Sequence, residues 1–186
     1  MNVRVGVAGD ARLIAEVHVR TWQVAYRGQV PDDYLDSLSV DQRELVWRQI
    51  LTDADPASSG VVVLEHEARV IGFAGTAASM DDGAGPSVGE LQSIYGHPDF
   101  WNRGGGRALM DRAMATLRAV GFSTATLWVL DTNLRARRFY EAAGWVPDGA
   151  TKVDDRATFT LREVRYRTTI PRDAALAELH PGADPQ

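Results

Sequence analysis

The chain contains no cysteine, which removes disulfides, thiolate metal ligands and covalent relay through a thiol. It has a single lysine, Lys152, and every other strong base is arginine. With the abundance of alanine, that reads as GC-rich bacterial coding rather than as function. No apolar run approaches the ~20 residues of a membrane span, and the first residues lack the apolar stretch of a signal peptide. A cytoplasmic protein with no membrane partner is therefore expected. A basic excess is also missing: 20 Lys and Arg stand against 25 Asp and Glu, a net charge of −5. Nucleic-acid grooves concentrate positive charge, so no nucleic-acid partner is expected. His18, His66, His97 and His180 share no metal-ligand spacing, and no metal is expected.

What is present is ordinary globular material: 186 residues, 45% hydrophobic and 24% charged, enough for one domain with a substantial core. The reading is a single domain over residues 1–170. Residues 171–186, rich in Ala, Pro and Asp, form a tail outside the core.

Local patterns supply the elements. Val3, Val5 and Val7 alternate inward on a first strand, and Asp10 is a candidate N-cap for the helix behind it. Along that helix Ile14, Val17, Thr21 and Val24 form one stripe and His18, Trp22 and Tyr26 a second, with Gly28 ending the segment. A short helix follows Pro31. Ser39 and Gln42 then make a capping box ahead of a helix whose apolar residues are Leu45, Val46 and Ile50. Val61 to Leu64 and Arg69 to Ala77 form a hairpin turning near His66 and Glu67, and an Asp81 to Pro86 loop lies beyond it. Val88 to Tyr95 and Thr124 to Leu130 read as strands, Asn133 to Ala143 as a short helix and Leu161 to Ile170 as the last strand.

Between two of these elements lies Asn102-Arg103-Gly104-Gly105-Gly106-Arg107, opening a helix that runs to about Val120. Glycines there let backbone N–H groups face outward at a helix N-terminus, where the peptide dipoles favour a phosphate or pyrophosphate. No Gly-Lys-Ser/Thr follows, so this is not a Walker loop, and its place past mid-chain does not suit a dinucleotide fingerprint.

Glu90-Leu91-Gln92-Ser93-Ile94-Tyr95-Gly96-His97-Pro98 leads into Arg103-Gly104-Gly105-Gly106-Arg107, and after another strand come Asn133 and Arg138-Phe139-Tyr140-Glu141-Ala142-Ala143-Gly144-Trp145. Both motifs, in this order, resemble the GNAT acetyltransferase superfamily over roughly residues 2–170. The resemblance implies an α+β fold: a mostly antiparallel twisted sheet of about seven strands, helices on both faces, and a splayed central strand pair. A seventh strand belongs somewhere between Gly144 and Leu161. Two positions depart from the family pattern: Gly96 stands where valine is usual and loosens the strand end, and Trp101 stands where Gln or Arg is common.

The resemblance further implies direct acetyl transfer from acetyl-CoA to a primary amine of a small molecule or peptide, with CoA as product. Ile94, Tyr95, Gly96, Asn102, Arg103, Gly104, Gly105, Gly106, Arg107 and Asn133 are the implied cofactor-binding residues. Glu90 is the implied general base, placed by the period of two on one strand face with Gln92, Ile94 and Gly96. Tyr140 is the implied general acid, a phenol protonated at neutral pH that can protonate a departing thiolate. Trp22 and Tyr26, with His18, lie where that family roofs its acceptor pocket. Arg135, Arg137 and Arg138 are either a solvated face or a source of one adenosine-phosphate contact. O-acetyl transfer, a non-catalytic acyl-CoA sensor and homodimerisation through the last strand or tail remain alternatives; retention of both Glu90 and Tyr140 argues against the sensor.

Overall fold

The computed structural model describes residues 1–55, 59–156 and 158–171. Seven strands, β1 (Asn2–Val5), β2 (Gly60–His66), β3 (Arg69–Ala78), β4 (Val88–Gly96), β5 (Thr124–Leu130), β6 (Val146–Asp155) and β7 (Thr160–Thr169), form one sheet in the order β1-β2-β3-β4-β5-β7-β6. Every neighbouring pair is antiparallel except β4 with β5. Helices α1 (Ala11–Ala25), α2 (Asp32–Asp36), α3 (Val40–Asp53), α4 (Gly105–Val120) and α5 (Leu134–Ala142) complete the described elements. This is the mixed α+β architecture expected from the motifs. Among the described residues no helix is long and apolar enough to cross a membrane.

Strand alternation decides which helices cover which face. Val62, Leu64, Ile71, Ala74 and Leu91 point to one side, where Leu109, Met110, Ala113 and Leu117 of α4 meet them. Val61, Val63, Val70 and Phe73 point to the other and pack on Ile14 and Val17 of α1 and Trp47 of α3. Each buried Val, Leu, Ile, Met or Phe among them contributes on the order of 1.5–3 kcal/mol. The sheet is thus the wall between two cores, and α4 ends on Gly121 in the left-handed conformation that glycine favours.

Four local expectations are corrected. Val5 and Val7 are exposed, because β1 is an edge strand that ends at Val5. Asp10 does not cap α1: its carboxylate instead accepts the Val7 N–H at 2.9 Å and a bidentate pair from Arg4 at 2.7 and 2.8 Å. In α3 the cap is as expected, Ser39 Oγ accepting the Gln42 N–H, but Leu45, Val46 and Ile50 face outward and Trp47 with Leu51 turns inward. Val24 is likewise exposed at the end of its stripe. The unplaced strand is β6, an edge strand broken between Pro147 and Thr151, whose mostly polar residues carry no alternating signal. Apart from Pro171, the tail lies outside the described residues.

One irregularity shapes the middle of the sheet. On β3, Gly75 pairs with Ser93 and the next residue, Thr76, pairs with Leu91, so Gln92 is an extra residue bulged out of β4. Beside it, β4 pairs with β5 only from Val88–Glu90 to Thr124–Thr126, and from Leu91 to Gly96 it has no β5 partner. Opposite the bulge Gly75 packs closely: a Cβ there would lie 2.9 Å from Ser93 Oγ, so the hydroxyl would have to shift. We expect Gly75→Ala to cost about 1–3 kcal/mol through overpacking. Urea unfolding checks this, and combining it with Ser93→Ala should return part of the loss as a non-additive coupling.

Candidate active site

Where β4 leaves β5, a cleft of about 640 Å³ opens, lined by β4 from Glu90 to Gly96, β5 from Trp128 to Leu130, the glycine turn, α5 and the end of α1. The bulge changes which β4 side chains share a face. Leu91 and Ile94 pack on the α4 side, whereas Tyr95 lies among the α1–α3 residues and Glu90 pairs across from Ala77, the position alternate to Thr76. The expectation that Glu90 shares a face with Ile94 and Gly96 fails, because one inserted residue reverses the alternation.

At one end of the cleft, Asn102 (φ 60°) and Gly104 (φ 83°) turn the chain sharply into α4. No side chain caps that helix, so its first N–H groups are left without a side-chain partner. Gly105 is closely packed: a Cβ there would lie 2.5 Å from Leu64 Cδ2. The Gly106 Cβ direction meets Phe139 of α5 at 3.4 Å. Arg107 lines the cleft and pairs with Asp111 at 2.9 Å on an exposed surface, while Arg103 sits over the Phe100 ring at 5.3 Å.

Gly96 and Trp101, the two departures from the family pattern, form one unit. Trp101 Nε1 donates to the Gly96 carbonyl at 2.6 Å, and Thr21 Oγ1 donates to the same oxygen at 3.1 Å. The strand end is therefore held, not loosened. A Cβ on Gly96 would come only within 3.8 Å of the Trp101 ring, so glycine is not sterically required there. Arg135 stacks on the other partner of this unit, its guanidinium 3.7 Å from the Trp101 ring centre. Burial lowers the Arg135 pKa, the mark of a cation drawn out of water without a carboxylate beside it.

The opposite end is aromatic and acidic. His18, Trp22 and Tyr26 form the roof, with the His18 ring stacked on Tyr95 at 5.0 Å and Trp22 edge-on to Tyr26 at 4.7 Å. His18 Nδ1 accepts from Trp47 Nε1 at 3.0 Å, and burial lowers its pKa to about 3, so it is neutral and structural. Trp22 Nε1 is buried without a hydrogen-bond partner; the Tyr95 hydroxyl is near enough to sense it but does not meet it in bonding geometry. Glu90 lines the cleft, half-buried and in no salt bridge among the described residues. Burial first, and then Asp81, raises its pKa above the ordinary carboxylate value, with Lys152 and the Met80 N–H pulling the other way.

Tyr140 also lines the cleft, its ring packed against Phe139, Trp145 and Tyr166. Burial, helped by Tyr95, pushes its phenol well above the ordinary value, so it stays protonated at neutral pH. Asn133 is at once the cap of α5, its Oδ1 accepting the Ala136 N–H at 3.1 Å, and a cleft residue. Arg137 is committed elsewhere, donating to the Tyr166 hydroxyl at 3.1 Å and the Asp131 carbonyl at 2.9 Å.

Sequence reasoning missed Trp128, Lys152 and Glu163, which line the acidic end from β5, β6 and β7. Lys152 and Glu163 are direct cross-strand partners, 3.2 Å apart. Only the placement of β6 could have revealed that pair. Among the described residues no cluster of His, Asp or Glu could hold a metal ion; His180 lies outside them.

The model of the acetyltransferase (GNAT) family matches residues 19–145. The chain is 33% identical over 134 residues to the uncharacterized N-acetyltransferase YuaI of Bacillus subtilis, covering 72% of this chain and 73% of that protein. An uncharacterized N-acetyltransferase of Archaeoglobus fulgidus is 31% identical over 123 residues, covering 66% and 80%. Among solved structures, yncA of Salmonella typhimurium, a putative acetyltransferase with its cofactor acetyl-CoA, superposes with TM-score 0.69 at 19% identity over 99% of both chains. The PaiA N-acetyltransferase of Thermoplasma acidophilum in complex with coenzyme A gives 0.66 at 17% identity, covering 90% of this chain and 98% of that one.

A carboxyl whose pKa is raised on folding weakens the folded state on ionising, so the penalty is absent below the unfolded value, grows from there up to the folded one and is complete above it. Glu90→Gln should therefore raise the thermal midpoint at neutral pH and leave it unchanged in acid, below the ordinary range of carboxylates. Melting curves across pH check this, and a midpoint that falls at neutral pH would make Glu90 a structural partner instead.

Proposed function

Because the chain belongs to the GNAT acetyltransferase family, we propose that it transfers an acetyl group directly from acetyl-CoA to a primary amine of a small molecule or peptide. The observation that carries the reading is the β4–β5 gap: one cleft there is lined by the glycine turn at an uncapped helix N-terminus and by Glu90 and Tyr140. A cytoplasmic site of action goes with it, since the acyl donor is a thioester of that compartment.

The residues present fit such a donor. The uncapped N-terminus of α4, with Gly104, Gly105 and Gly106, would take the pyrophosphate on backbone N–H groups. Arg135, exposed, partly desolvated and without a carboxylate partner among the described residues, offers charge to a further phosphate. The unpaired β4 backbone near Ile94 and Gly96 would hold the pantetheine and polarise the thioester carbonyl. Asn133 lines the same cleft.

Chemistry then divides between two groups. Glu90, whose raised pKa makes it a better base than an exposed carboxylate, takes a proton from the acceptor amine directly or through water. The neutral amine nitrogen bonds to the acetyl carbon, the carbon–sulfur bond breaks, the sulfur receives the Tyr140 proton, and the excess proton still on the new amide nitrogen returns to Tyr140. Absence of cysteine excludes a relay through a thiol, which goes with direct transfer.

We expect acetyl-CoA to raise the thermal midpoint by mass action while NAD and ATP do little; no effect at millimolar acetyl-CoA or CoA would overturn the reading. With CoA release as the assay, Glu90→Gln should lose on the order of 10²-fold in rate. It should also lose the acid limb of the pH profile, which in the native protein lies above the ordinary carboxylate range. Tyr140→Phe should slow turnover with little change in stability, and equal losses in both would return Tyr140 to a purely packing role.

A further inference from the structure

The acidic end of the cleft holds more negative charge than its own bases neutralise. Two carboxylates, Glu90 and Glu163, line it with Trp128 and one base, Lys152, while Asp81, a partner of Trp128 Nε1, and Asp148 lie outside the lining. Arg165 is fully engaged, bridging Asp81 at 2.8 Å and Asp148 at 2.9 Å. Lys152 alone serves Glu163, and Glu90 has no base in contact. Glu163 lines the same cleft as Glu90, Tyr95 and the roof residues Trp22 and Tyr26.

Lys152 already shows what this space accepts. Its ammonium lies 3.2 Å from Glu163 Oε2 and 4.4 Å from the centre of the Trp128 ring, a carboxylate on one side and a π face on the other. The pair is also easily opened: the Lys152 side chain is 45% exposed, and partly exposed ion pairs are weak. Beyond it the cleft wall is apolar, with Leu130 and Leu161 between the two carboxylates' strands and α1.

We propose that Lys152 occupies the place of a second ammonium group of the acceptor, and that the acceptor is a dication, a diamine with an aliphatic spacer. Its reacting amine lies at Glu90, and its far ammonium takes Glu163 and the Trp128 face while Lys152 swings into water. Glu163 is then a specificity-determining residue. This rests on the acyl-transfer reading for what happens at Glu90, but the recognition itself is a binding event that can be read without turnover.

Calorimetric titration of the full chain with diaminobutane and with butylamine, CoA present, tests it. The expected result is at least tenfold tighter binding of the diamine. Glu163→Gln should bring the diamine to the level of butylamine, and Lys152→Met should tighten the diamine several-fold by removing its competitor. Equal affinities in the native protein, a preference that survives Glu163→Gln, or weaker diamine binding in Lys152→Met would each overturn the proposal. The native and Lys152→Met measurements decide the matter even where Glu163→Gln fails to fold. Selective diamine binding with no CoA release from acetyl-CoA would overturn the acyl-transfer reading alone.

Discussion

A single inserted residue governs the site. Were Gln92 not bulged from β4, the strand would keep its alternation and Glu90 would project with Ile94 to the α4 side, inside the larger core. The bulge leaves Leu91 and Ile94 anchoring the strand in that core while Glu90 and Tyr95 serve the other face. Bulges also strengthen local twist, and β4 parts from β5 immediately beside this one, after Glu90. Gly75, far from any motif, lies close against Ser93 next to the bulged Gln92.

That dependence explains what the sequence could and could not reveal. The glycine turn and the Asn133 to Trp145 segment were legible because their constraints are local: a left-handed turn needs glycine at 104, and a short helix needs its Asn133 cap. The hairpin turn at Glu67 and Ala68, both with positive φ, fell where the flanking strands demanded it. The bulge was illegible because its cause sits on a neighbouring strand, and period-two reasoning within β4 therefore aimed Glu90 wrongly. Helix α3 misled for a related reason. Its apolar residues outnumber the positions that can be buried, and a single large side chain, Trp47, decides the inward face by packing on Phe73 and bonding His18. Strand β6, polar and exposed, is specified by its pairing with β7 rather than by its own pattern.

The cleft is also divided electrically. Its arginines, Arg107 and Arg135, stand at the glycine turn and the start of α5, where the α4 dipole adds positive potential. Its carboxylates, Glu90 and Glu163, stand at the far end with the chain's only lysine. An elongated ligand with an anionic head and a reacting tail would be oriented by this field before any close contact forms. The same division keeps an amine acceptor away from the phosphate end. Net charge alone pointed only to a mild acidic surplus; the asymmetry comes from β6 and β7 delivering their side chains to one end.

The distribution of unsatisfied groups leads to the same place without any reference to relatives. Outside the cleft, charged and polar groups withdrawn from water are matched: Asp10 by Arg4 and the Val7 N–H, the Tyr166 hydroxyl by Arg137 and Glu141, and Trp47 Nε1 by His18. Along the cleft the pattern reverses. Glu90 is held above its ordinary pKa, Arg135 below its own, Trp22 Nε1 lacks a partner, and six residues of β4 have no partner strand on the β5 side. The half-buried Glu90 and the buried Trp22 Nε1 weaken the folded chain, since a polar group drawn from water without a full set of partners carries a desolvation cost. A sequence shaped only for stability would replace Glu90 with a neutral side chain and close the gap beside it. Their concentration in one cleft means the fold is held slightly open at a loss of stability, and the groups that impose that loss are the ones a thioester and an amine would satisfy.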